Sequence, residues 1–170
     1  MSDVLLVNDD TMLARLEKDL TDKATAAFAD AAVDSMVYGV FSLDDLENKQ
    51  ESDLSRRIGV GIAYNGTTDL AIDFNSNKSP SPSGGQAVKM LSYSFLLILA
   101  VPTGPECTER YNATQLLTVL RRRVHGSKVS GDPVSRAWNF AAEKPEPGAS
   151  TETMLYYTQT WKISLPLAGL

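Results

Sequence analysis

The segment LLTVLRRRVHG, residues 116–126, sets Arg121, Arg122, Arg123 and the chain's only histidine, His125, behind a run of leucines. Such groups could grip phosphate, serve a nucleophile, or close the charged end of a helix. Three consecutive helical positions fan over roughly 200°, so the arginines cannot all face one ligand. In the last turn of a helix their charge complements the carbonyl end of the dipole. No aromatic residues interleave the run, and the chain carries a net charge of −5, which disfavours a DNA grip. One or two of the arginines could instead pair with the acidic part of a neighbouring subunit.

Catalysis at His125 would need a positioned nucleophile and a carboxylate. Ser127 is near in sequence, but no G-x-S-x-G elbow occurs. Next to the helix stop Gly126, His125 is expected to act as a capping residue. Cys107, the only cysteine, precludes an internal disulfide, and with one histidine it cannot build a zinc site without several carboxylates. Asp44, Asp45 and Glu47 cluster without calcium-loop spacing. The G-x-G of GVGIAYNG lacks the third glycine and the following helix of a dinucleotide loop. No cofactor or metal site is therefore expected.

The elements that position these residues follow from hydrophobic periodicity. Residues 10–31 are expected to form a helix capped by Asp10 or Thr11, with Leu13, Leu16, Leu20, Ala24, Ala27, Phe28 and Ala31 along one stripe. Glu17, Lys18, Asp19, Asp22 and Lys23 fall mostly on the other side. Alternation predicts strands over 35–42 and 58–67, the latter ending in an Asn65-Gly66 turn, and a further short strand over 70–74. The polar stretch 43–57 is a surface loop or short helix. Residues 75–85, NSNKSPSPSGG, have no apolar anchor and are expected to be a flexible loop that includes Lys78, Ser79, Pro80 and Ser81.

Residues 86–101 have the pattern of a central strand. Tyr93, Phe95, Leu97, Leu99 and Val101 share one face; Ser92, Ser94, Leu96 and Ile98 share the other. A second helix is expected from about Glu106 to Val124, with a stripe of Ala113, Leu116, Leu117, Leu120 and Val124. Trp138 and Phe140 alternate as strand residues do, and 152–167 form a last long strand. Together these predict a single α+β domain over residues 1–170: a mostly antiparallel β-sheet with two amphipathic helices packed on one face.

The charge is segregated. Residues 1–53 hold thirteen acidic against four basic residues, a net −9; the remainder holds eight against twelve, a net +4. Such asymmetry suits a chain that meets copies of itself through complementary faces. The acidic start lacks the basic opening of a signal peptide, and the apolar run Phe95–Val101 is too short to span a bilayer. A reducing cytoplasm is the expected compartment or site of assembly, with no membrane partner.

The order of elements resembles the tail terminator proteins of tailed bacteriophages, including the tail-completion proteins of the phage Mu kind. The resemblance lies in an N-terminal helix, MLARLEKDL, and a long strand with an apolar end, SYSFLLILAV. A leucine-and-arginine helix follows, ERYNATQLLTVLRRRVHG, then a Trp-bearing segment and a last strand, MLYYTQTWKISL. It covers roughly residues 10–165; segments 43–57 and 75–85 have no counterpart. It implies a non-enzymatic virion protein that forms a hexameric ring, caps the tail tube and sheath, and joins the tail to the head completion and neck proteins. DNA would cross the lumen only in transit. The arginines 121–123, the acids Asp44, Asp45 and Glu47, and the loop residues Lys78 to Ser81 would then be interface residues. Competing readings are a head completion (stopper) protein of the neck, a small cytoplasmic enzyme, and a nucleic-acid-binding domain.

Overall fold

A computed structural model of the chain describes residues 2–31, 35–39, 58–69, 90–102, 113–131, 136–148, 150 and 154–166. The first helix, α1, spans Ser2–Asp30. The strands are β1 (Ser35–Gly39), β2 (Ile58–Asp69), β3 (Met90–Pro102), β4 (Asn139–Pro145) and β5 (Met154–Pro166), and the second helix, α2, spans Ala113–Val124. They form one five-stranded sheet of order β1-β2-β3-β5-β4. The chain is α+β, as its patterning predicts. The pairings β2–β3, β3–β5 and β4–β5 are antiparallel, whereas β1 joins β2 in parallel at one edge.

Period-two alternation in β3 separates two cores. Tyr93, Phe95, Leu97, Leu99 and Val101 pack with Leu16, Leu20, Ala24, Ala27 and Phe28 of α1 and with Leu116, Leu117, Leu120 and Val124 of α2. Both helices therefore cover the same sheet face. Each fully buried Leu or Phe in this layer contributes about 2–3 kcal/mol of apolar transfer free energy. The opposite face holds a smaller cluster of Ala63, Ile98, Ala100 and Tyr156, against which Leu96 and Met154 pack.

Two local expectations are corrected. The first helix does not begin at Asp10 or Thr11: it starts at Ser2 and runs through both. Asp9-Asp10-Thr11 has the composition of a cap, but no Pro or Gly interrupts residues 2–30, so the helix propagates past it. Asn65-Gly66 does not end β2 either. Tyr64 pairs with Phe95 and Thr67 with Tyr93, so both residues oppose Ser94 in a bulge. Gly66 supplies the positive φ, 95°, that the bulge requires. The sequence Asn-Gly serves a bulge as readily as a hairpin.

The described part of the second predicted helix begins at Ala113. Residues 106–112 with Cys107, the loop 75–85, the stretch 70–74, and the polar segment 43–57 lie outside the described residues.

Candidate functional site at the end of the second helix

The arginine run occupies the last turn of α2, and its fan is resolved into three directions. Arg121 turns toward the sheet: its Nε lies 3.6 Å from Glu143 Oε2 on β4, and its guanidinium carbon sits 5.8 Å from the Phe140 ring centroid. Its Nη2 also donates to Thr118 Oγ1 at 3.0 Å. Arg123 turns the other way and meets Asp30 at the end of α1, with Nη1 3.4 Å from Oδ2. Arg122 lies between them, exposed, with no ion pair or hydrogen bond among the described residues. Thus, among the described residues, two of the three charges are paired within the subunit and that of Arg122 is not.

Arg121, Arg122, His125 and Phe140 line an open cleft of about 370 Å³. The chain is held there by a series of hydrogen bonds. His125 N–H closes the last helical turn on Arg121 O at 3.1 Å, and Gly126 follows with φ of 75°. The imidazole does not cap α2, as its sequence position suggests. It turns to the sheet, where Nδ1 accepts the Phe140 backbone N–H at 3.1 Å. That bond fixes the proton on Nε2 and presents it as a donor. It also occupies the nitrogen that a triad would give to a carboxylate. Ser127 is committed as well, donating its hydroxyl to Val124 O at 2.6 Å. The cleft therefore offers hydrogen-bond donors and positive charge over an aromatic floor. That set is complementary in charge and hydrogen bonding to a carboxylate or another anion.

Behind the cleft lies a buried polar chain. Gln159 of β5 is fully buried and lies opposite Leu97 and Glu143 in the sheet. Its Nε2 donates to Leu117 O of α2 at 3.0 Å and to Glu143 Oε2 at 2.8 Å, while its Oε1 accepts the Trp161 indole N–H at 3.3 Å. Phe140 meets Trp161 edge-to-face at 5.6 Å. Gln159 thus ties α2 to the sheet and holds Glu143 for Arg121. Changing Gln159 to Leu should lower the unfolding free energy by about 2 kcal/mol, because it leaves the buried Trp161 indole N–H without its acceptor and Glu143 without the Gln159 donor. Urea denaturation checks this; an unchanged midpoint would contradict it.

A second polar cluster, not foreseen in its details, locks α1 to the loop after α2. Asp19 is buried, although its neighbours on α1 suggested the outer face. Lys23 Nζ lies 2.9 Å from Oδ1 and 2.8 Å from Oδ2. Ser130 N–H donates to Oδ1 at 3.0 Å, and the fully buried Trp138 donates its indole N–H to Oδ2 at 2.8 Å. Burial alone would raise the Asp19 pKa; the hydrogen bonds from Lys23, Ser130 and Trp138, with the Lys23 charge, outweigh it and hold the carboxyl below its ordinary value. Arg15 completes the lock by donating to Ser130 O at 2.9 Å. The Asp19–Lys23 spacing of four was the only local sign of this cluster.

Of the other expected interface residues, Asp44, Asp45, Glu47, Lys78, Ser79, Pro80 and Ser81 lie outside the described residues. Among the described residues, no cluster of three His, Cys, Asp or Glu could hold a metal ion, and no helix is long and apolar enough to cross a membrane. Neither a protein-family model nor any characterised protein matches the sequence.

Proposed function

We propose that the chain is a structural virion subunit, a tail terminator of a tailed bacteriophage. Copies close into a ring of about six that caps the tail tube and sheath and offers its other face to the head completion and neck proteins. The subunit makes and breaks no covalent bond and carries no cofactor. It is assembled in the host cytoplasm, and DNA touches it only in transit.

The observation that carries this reading is the open charge at the end of α2. Arg122 stands exposed beside the His125 Nε2–H and the Phe140 ring, in a chain whose first 53 residues carry a net −9. In a head-to-tail ring every subunit shows one face to the next. A carboxylate of the acidic part of one copy then enters the Arg122 cleft of its neighbour. Arg121 and Arg123 support the site from within the subunit, through Glu143 and Asp30.

Negative-stain imaging of the purified protein tests the reading. Closed rings of about six subunits are expected; separate single subunits at high concentration would contradict it. A stopper of the neck would also form rings, so the partner decides between the two. A terminator binds tails that lack their end ring, and a stopper binds filled heads.

A further inference from the structure

We propose that the outer edge of β4 is sealed against strand addition, with His125 and Pro145 as its guards, so that copies of this chain do not continue the sheet at β4. An edge strand presents alternate outward N–H and C=O groups that a second chain can pair with. On β4 those positions can be followed one by one. Before the strand begins, residues 126–129 already lie along the same side. Gly126 N–H donates to Trp138 O at 2.8 Å, Trp138 N–H to Ser127 O at 3.0 Å and Val129 N–H to Arg136 O at 2.9 Å. Lys128 and Ala137 form an isolated antiparallel bridge there.

The next outward N–H is that of Phe140. It turns away from β5 and is taken by His125 Nδ1. A bulge follows between Phe140 and Ala142. Beyond it the ladder phase is set by Glu146 N–H, which donates to Tyr156 O at 2.9 Å. Alternation in an antiparallel pair then turns Glu143 and Residue 145 outward. The latter is proline, Pro145, which has no N–H to offer, and a proline is tolerated in a sheet at such an edge position. Of the outward positions Trp138, Phe140, Glu143 and Pro145, only Glu143 keeps an N–H without a partner among the described residues. One donor beside a bulge does not sustain a ladder.

This gives His125 a positioning role that needs no chemistry: its imidazole stands where the next strand would bind. The inference rests on the assembly reading only in saying that copies meet; the closed edge removes backbone pairing at β4 from the ways in which they can do so.

The test uses His125→Ala, Pro145→Thr and the double variant, each compared with the full wild-type chain. Hydrogen exchange should show the Phe140 amide opening at least about tenfold faster in His125→Ala. The double variant should gain concentration-dependent, thioflavin-positive assemblies that the wild type does not form. If His125→Ala loses helical signal in circular dichroism, Pro145→Thr alone decides on the same thioflavin and scattering readout. A folded double variant with wild-type mass distribution, no dye signal and unchanged Phe140 exchange overturns the proposal. A solitary wild type whose double variant pairs through strands would remove the ring and leave the sealed edge standing.

Discussion

Replacing Asp19 by alanine is expected to lower the unfolding free energy by about 3 kcal/mol, because it breaks a buried ion pair and strands its partners. The carboxylate receives three different donors, Lys23 Nζ, Ser130 N–H and the Trp138 indole, from two distant parts of the chain. Removing it leaves the indole of a fully buried tryptophan and a backbone N–H without acceptors, and a half-buried ammonium without its counter-charge. The pH dependence carries its own sign. A carboxyl whose folded pKa lies below its ordinary 3.8 binds fewer protons when folded than when unfolded. Its stabilisation is complete above that ordinary value and is lost as pH falls through the lower, folded one. Wild-type stability should therefore fall on acidification through this range, and Asp19→Asn should lose that part of the slope. Urea melts at neutral and acid pH measure both. Equal acid sensitivity in wild type and Asp19→Asn would show that Asp19 is not the group responsible.

Reversing the charge of Arg122, alone and with Arg123, should raise the concentration needed for assembly at least about tenfold, equivalent to about 1.4 kcal/mol per contact. Arg122→Glu is the cleaner change, because Arg122 holds no described partner within the subunit. Arg123→Glu also places two acids together at Asp30, but that exposed pair contributes at most about 1 kcal/mol to the fold. The folded subunit should be almost untouched in both variants while assembly fails. Salt should weaken wild-type assembly and have a smaller effect on the reversed variants. Assembly that is indifferent to both reversals, at low and high salt, would remove the arginine end from the interface.

The large features of the fold were legible because periodicity is a local property. The stripe Leu16, Leu20, Ala24, Ala27 and Phe28 marks its helix, and the two alternating sets of β3 mark a strand buried on both faces. The fan of Arg121 to Arg123 also follows from helix geometry, and it separates in space as the 100° step requires. What stayed hidden depends on partners far along the chain. Asp19 looks like any acid on a charged helix until Trp138, 119 residues away, brings its indole N–H. Gln159 looks like an ordinary strand residue until α2 lays the Leu117 carbonyl over it, 42 residues away. His125 was placed correctly at a helix end, but its acceptor role depends on β4 folding back beside it. The caps and turns misled for the opposite reason. Asp10-Thr11 and Asn65-Gly66 have the right local chemistry, and the longer-range helix and ladder override it.

Sedimentation velocity over a wide concentration range tests the proposed assembly most directly. The predicted result is a shift from the 18.5 kDa chain to one closed species of about six subunit masses that grows no further and dissociates at high salt. A single 18.5 kDa species at every concentration and ionic strength would contradict it.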